Sequence, residues 1–202
     1  MKFNSIPEII EDIKQGKIVI LLDDEREQEG DMIVAAEFAT PENIGFMMKH
    51  GCGIICMPIT KDLVDKFKLD LLPRRNCDDL NNCFYTVSVD AIGGSGISAS
   101  DRSRSIMTFV SDTATDNDIK TPGHLFPLVA KPGGVLERPG HTEASVDLAI
   151  LAGLKPAAAL VEVMNDEKDT PANNIQLIKF AEKHCIKIST VRALIQYRQS
   201  LL

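Results

Sequence analysis

The strongest constraint on this 202-residue chain is that its apolar runs are short and rich in β-branched residues. Lys17-Ile18-Val19-Ile20-Leu21-Leu22 and Ile54-Ile55-Cys56-Met57 read as buried strands, as does Ala157 to Val163. Met32-Ile33-Val34-Ala35-Ala36 is a further run of the same kind. None approaches the roughly 20 apolar residues that a membrane-spanning helix needs. Helix signals stand between them. Ser5-Ile6-Pro7-Glu8 has capping-box spacing, and Ile6, Ile9, Ile10 and Ile13 share one helical face before Gly16. Thr40-Pro41-Glu42 is an N-cap with proline at the first helical position, opening a helix through Met47 and Met48 to His50. Pro58 and Thr60 start another through Leu63, Val64 and Phe67. Leu72 to Cys83 reads as an exposed loop, Phe84 to Val89 as a strand and Ser105 to Val110 as a helix. A helix around Ile175 to His184, a strand at Ile186 to Ile188 and a last helix from Thr190 complete the chain. With no repeat or linker and 44% hydrophobic residues, residues 1–202 are expected to form a single domain with one sizeable core.

Charge and cysteine usage narrow the function classes. A formal net charge of −7 argues against general nucleic-acid binding, so an anionic ligand would need a local basic pocket. Five cysteines, at 52, 56, 77, 83 and 185, include no Cys-x-x-Cys pair and leave one over, which fits neither a disulfide framework nor a zinc ribbon. A reducing cytoplasm, with no export and no membrane attachment, is the expected setting.

Four places carry candidate chemistry. Asp23-Asp24-Glu25-Arg26-Glu27-Gln28-Glu29-Gly30-Asp31 holds six carboxylates and one arginine between two strands. It is either a solvated turn or a site where a hard cation such as Mg²⁺ relieves carboxylate repulsion. Arg138-Pro139-Gly140-His141-Thr142-Glu143 runs into Ala144 to Asp147, and a helix start presents unpaired N–H groups that attract anions. Arg138 adds fixed charge there; His141 is a metal ligand, a proton carrier or simply a cap. His124 lies in the turn-rich Thr121-Pro122-Gly123-His124-Leu125-Phe126-Pro127-Leu128, which would hold it at a strand edge. Glu162, flanked by Val161 and Val163, must point to solvent or sit in a pocket that raises its pKa. The Gly93 to Arg102 stretch, rich in glycine and serine, lacks the Gly-Lys-Ser/Thr of a nucleotide-binding loop.

Taken together, Arg26-Glu27-Gln28-Glu29-Gly30-Asp31, Gly96-Ile97-Ser98, Asp101-Arg102, Pro122 to Leu128 and Arg138 to Ala144 resemble the 3,4-dihydroxy-2-butanone 4-phosphate synthase family of riboflavin biosynthesis. The resemblance runs from about Ile6 to Arg198. It implies an α/β fold with three α-β-α layers around a mixed, twisted sheet, and a homodimer with active sites at the subunit interface. It also implies a lyase that converts D-ribulose 5-phosphate to a four-carbon ketone phosphate plus formate. By the same resemblance, Glu27 and His141 hold Mg²⁺ or Mn²⁺, and Arg26 and Asp31 contact the sugar. Arg138, Pro139, Gly140 and Thr142 seat the phosphate, while His124 and Glu162 move protons. Glu27, His141 and Glu162 then also line the substrate.

The implied chemistry suits these residue types. Proton loss beside a ketone builds charge on two oxygens, which a divalent cation stabilises, and the later steps need protons delivered at neighbouring atoms. A phosphate held at the unreactive end orients the rest of the sugar. The chain departs from the family pattern at Ser95 and Ser100, in the length of its acidic loop before Arg26, and at Lys168-Asp169-Thr170-Pro171-Ala172-Asn173, where the family generally has Gly-Thr-Met-Ala-Arg. Those departures keep two rival readings in view: a relative that binds a sugar phosphate without turnover, and a metal-dependent pentose-phosphate isomerase or aldolase. The chain is expected to be monofunctional.

Overall fold

A computed structural model describes residues 3–23, 29–75 and 83–202. The central part of the acidic loop, including Arg26 and Glu27, therefore lies outside the described residues, as does Cys77. The helices are α1 (Ile6–Lys14), α2 (Pro41–His50), α3 (Lys61–Lys66), α4 (Ala99–Phe109), α5 (His141–Leu151), α6 (Asn174–His184) and α7 (Val191–Gln199). The strands are β1 (Val19–Asp23), β2 (Glu29–Ala35), β3 (Cys56–Ile59), β4 (Phe84–Tyr85), β5 (Val89–Ala91), β6 (Ile119–Val129), β7 (Ala158–Glu162) and β8 (Lys187–Thr190). They form one mixed sheet in the order β4-β6-β3-β7-β2-β1-β8, with β5 also on β6. β1 runs parallel to β8 and β3 parallel to β6, while β2 is antiparallel to both β1 and β7.

Period-two alternation separates the two faces of this sheet. Ile20, Leu22, Met32, Val34, Val161 and Val163 pack toward α2, α4 and α6. Val19, Leu21, Ile33, Ala35 and Leu160 pack toward α1, α5 and α7. The result is the three-layer α-β-α arrangement implied by the resemblance. The isoleucine stripe of α1 is buried as its spacing requires: Ile6, Ile9 and Ile13 are at most 4% exposed, each contributing about 2–3 kcal/mol of burial. Glu8 caps the same helix, accepting from the Ser5 N–H at 2.8 Å and the Ser5 hydroxyl at 2.6 Å.

The structure corrects several local expectations. The Pro122 to Leu128 segment belongs to the 11-residue strand β6 rather than to a run of turns, and His124 stands where only β5 flanks that strand, two residues before β3 begins to pair at Phe126, so it does lie at a strand edge. β6 tolerates its prolines because its pairing is divided: β3 takes one side from Phe126 onward, and β5 and β4 share the other. Phe84 to Val89 is two short strands, and Pro58 lies inside β3 rather than opening a helix. α4 begins six residues before the expected Ser105, because the Ser98 hydroxyl accepts from the Asp101 N–H at 3.1 Å and caps it. Asp101 and Arg102 are thus helical.

Candidate active site

The register of β2 against β7 creates the first half of the site. Asp31 pairs with Glu162, and alternation turns both side chains to the face covered by α5. Asp31 is 3% exposed. The Glu162 carboxylate is half-buried, and its Oε2 accepts from the Ile54 N–H at 3.2 Å, which aims it along the sheet. Gly53 makes this possible. A Cβ there would overlap Glu162 Oε2 and come within 2.9 Å of the Glu162 carbonyl oxygen. Gly53→Ala is therefore expected to displace the carboxylate and lower turnover by about tenfold or more, with little change in secondary structure by circular dichroism. Wild-type turnover in that variant would show that the position of Glu162 is not critical.

The N-terminus of α5 supplies the second half. Gly140 is the N-cap, Pro139 is an exposed residue of the turn, and His141 and Thr142 begin the helix fully buried. Arg138 is only 6% exposed, and its Nη1 donates to Glu143 Oε2 at 2.6 Å. The other Glu143 oxygen accepts from the Lys131 N–H at 3.0 Å. Burial pushes the Glu143 carboxyl up, while Arg138 pulls it down. On the far side of the guanidinium, Arg138 Nη2 lies 3.3 Å from Cys83 Sγ, and that sulfur is 3.2 Å from the Thr142 hydroxyl. A side chain at Gly140 would run into both Arg138 and Glu143, so this glycine keeps the pair intact.

His141 joins the halves. Its Nε2 lies 3.2 Å from the Leu21 carbonyl, which can only accept, so Nε2 carries the proton. Its Nδ1 faces Asp31 Oδ2 at 3.6 Å, and when the ring is neutral that nitrogen holds the lone pair. A backbone carbonyl fixing the tautomer of a histidine beside a carboxylate is an arrangement suited to a metal ligand. Among the described residues no three His, Cys, Asp or Glu side chains come together as a metal cage. The described donors are thus a partial set, as Mg²⁺ requires when water and substrate supply the remaining oxygens. Glu27, the other expected ligand, and Arg26 lie outside the described residues. The cavity of about 170 Å³ between these groups is lined by Asp31, Arg138, His141, Thr142 and Glu162. Cys56 also lines it, 2% exposed, its thiol pushed up by burial and then by Glu162 and Asp31.

His124 opens into a neighbouring cleft with Gly53, Ile54 and Arg102 rather than into that cavity. The cleft and the cavity adjoin through Ile54, which lines the cleft and whose N–H donates to Glu162 in the cavity. The partner of His124 is a residue that sequence reading missed. Asp90, 1% exposed, accepts from the His124 N–H at 2.9 Å with Oδ1 and lies 2.8 Å from His124 Nδ1 with Oδ2. Because a carboxylate accepts, Nδ1 carries the proton and Nε2 is left with its lone pair for chemistry. Arg102 Nη1 donates to the His124 carbonyl at 2.5 Å, and Gly96 leaves room for Asp90 where a Cβ would overlap its carboxylate. The signal was present in Val89-Asp90-Ala91, an acidic residue inside an apolar strand like Glu162. Nothing in the sequence marked Cys83 or Glu143 as partners of Arg138.

Comparison with known proteins gives the family independently of this geometry. Residues 7–197 match the family described as 3,4-dihydroxy-2-butanone 4-phosphate synthase. A 3,4-dihydroxy-2-butanone 4-phosphate synthase of Neisseria meningitidis serogroup A is 50% identical over 196 residues, covering 96% of this chain and 53% of that protein. The riboflavin biosynthesis protein RibBA of Aquifex aeolicus is 49% identical over 202 residues, covering 98% of this chain and 49% of its own length. The chain thus spans about half the length of these curated relatives. A crystal structure of 3,4-dihydroxy-2-butanone 4-phosphate synthase in complex with two magnesium ions superposes with a TM-score of 0.89 at 35% identity, covering 98% of both chains. With a buried Arg138 and His141 on one helix start, Glu162 and Asp31 paired across the sheet, and a family match over nearly the whole length, the chain belongs to the 3,4-dihydroxy-2-butanone 4-phosphate synthase family.

Proposed function

We propose that this chain is a lyase of riboflavin biosynthesis that converts D-ribulose 5-phosphate to 3,4-dihydroxy-2-butanone 4-phosphate and formate. The observation that carries the reading is the convergence of Arg138, Asp31, Glu162 and His141 on one cavity: a fixed cation, two carboxylates and a lone-pair imidazole. Arg138, Gly140 and Thr142 seat the phosphate, with Pro139 shaping the turn that presents them. This anchors the unreactive end of the sugar. Arg26 and Asp31 hold sugar hydroxyls. Glu162, held by the Ile54 N–H, takes and returns protons within the Arg138 cavity, and His124 Nε2 does so from the adjoining cleft, whose wall includes Ile54. His141 and Glu27 would hold Mg²⁺ or Mn²⁺, and such a cation stabilises negative charge on adjacent sugar oxygens. A cytoplasmic enzyme fits the uncrosslinked thiols of Cys52, Cys56, Cys83 and Cys185.

The working form in this reading is a homodimer with its active sites at the interface. Ile54 and Ile97 are 59% and 52% exposed, and both adjoin the Arg102 and His124 cleft, an apolar rim that a second copy would cover. Light scattering should give twice the 22.1 kDa chain mass.

Incubation with D-ribulose 5-phosphate and Mg²⁺ is expected to release formate and the four-carbon phosphate in equal amounts. Chelation of divalent metal should stop it and added Mg²⁺ restore it. A new sugar phosphate without formate would replace this reading with an isomerase or aldolase. Tight binding without turnover would replace it with a binding protein.

A further inference from the structure

The alternation that turns Glu162 to the Arg138 cavity turns the next residue, Val163, to the opposite face of the sheet. On that face a second cleft, about 280 Å³, lies between the exit of β7 at Met164 to Asp166 and one side of α6. Gln176, Lys179, Phe180 and Lys183 recur at helical spacing and form its wall.

Among the described residues that line this cleft, Lys179 and Lys183 outnumber the one carboxylate, Asp166, on a chain whose net charge is −7. Lys179 and Lys183 are like charges four residues apart, a pairing that disfavours the helix. Among the described residues, Lys49, Lys168, Lys179 and Lys183 make no ion pair with a carboxylate, unlike Lys61, Lys68, Lys155 and Lys187. Lys168 also holds a left-handed backbone with φ +62°, which a side-chain-bearing residue adopts reluctantly. The turn around it is fixed by Asn165, whose Nδ2 donates to Asp169 Oδ1 at 2.6 Å and to the Thr170 hydroxyl at 2.9 Å.

Beside the cleft, the rings of His50 and His184 lie 4.8 Å apart, and the Phe180 ring lies 4.5 Å from His184, tilted by 43°. Burial, followed by Lys49, Lys183 and Lys168, holds His50 below the ordinary histidine range. Burial, His50 and Lys183 do the same for His184. Local choices that oppose stability together, around a concave surface, mark a place built for a ligand.

We propose that this cleft binds a ligand bearing a phosphate or diphosphate group and a flat aromatic heterocycle, with the anion between Lys179 and Lys183 and the ring against Phe180. Charge complementarity sets the anion, and the aromatic wall sets the body. Asp166 at the solvent edge offers an acceptor to a donor on the ring. The site is separated from the Arg138 cavity by the thickness of the sheet, so occupancy of one does not require the other.

The test uses the intact chain and two probes, ADP and inorganic pyrophosphate, followed by calorimetry and by the histidine Cε1 proton resonances. ADP is expected to bind more tightly than pyrophosphate and to move the His184 and His50 signals. The Lys179→Gln/Lys183→Gln double variant should weaken ADP binding by about tenfold or more with an unchanged circular dichroism spectrum, whereas Arg138→Met should leave it unaltered. Loss of ADP binding in Arg138→Met but not in the lysine variant would overturn the proposal by placing the ligand in the other cavity. Histidine signals that stay still at millimolar ADP would also overturn it.

Discussion

Glu162→Gln is expected to lower kcat by about a thousandfold while KM stays within about threefold and the thermal midpoint hardly moves. The amide keeps an oxygen where Ile54 N–H, at 3.2 Å from Oε2, needs an acceptor, so the anchoring of the side chain survives. What it loses is the capacity to take a proton at neutral pH. The proposed phosphate seat at Arg138 is untouched, which is why the loss should fall on turnover and not on binding. Steady-state kinetics with a coupled formate readout, alongside a melting curve, checks both halves. Turnover within about tenfold of wild type would remove Glu162 from the proton-transfer steps.

His124→Ser should be as damaging, by about 10²–10⁴ in kcat, because the hydroxyl neither reaches as far as Nε2 nor carries a proton at comparable acidity. The more discriminating variant is Asp90→Asn. Its amide has nearly the shape of the carboxylate, so the His124 N–H now bonded at 2.9 Å can keep its acceptor. An amide nitrogen facing Nδ1 would donate instead of accept, moving the ring proton to Nε2 and leaving no lone pair toward the cleft. The expected result is a fall in kcat of about a hundredfold or more at unchanged KM, together with a ¹⁵N spectrum showing His124 in the other tautomer. A merely structural role for Asp90 would lower stability without changing the tautomer. Retention of Nδ1–H with full turnover in Asp90→Asn would end the positioning argument.

How much of this was legible beforehand varies by element, for physical reasons. Helices with a capping residue and a clean apolar stripe, such as α1 and α2, were readable because those signals are local. β6 was not, since its prolines read as turn chemistry while its pairing with β3, β4 and β5 depends on residues up to about 70 positions away. The early start of α4 was hidden in a serine-rich stretch whose cap, Ser98, looks like any loop serine.

The site divides in the same way. Residue type and order alone singled out Arg138, His141, Asp31, Glu162 and His124, because anion seating, metal binding and proton transfer each need particular functional groups and these sit in family-specific blocks. Which groups meet is a matter of tertiary structure. Strand register placed Asp31 opposite Glu162, the turn at Gly53 and Ile54 aimed the Glu162 carboxylate, and packing of β5 on β6 brought the buried Asp90 to His124. The fold also bound Arg138 to Glu143 and set Cys83 against it. A sequence records donors and acceptors, but hydrogen bonds across 34 to 108 residues exist only once the sheet has fixed the distances.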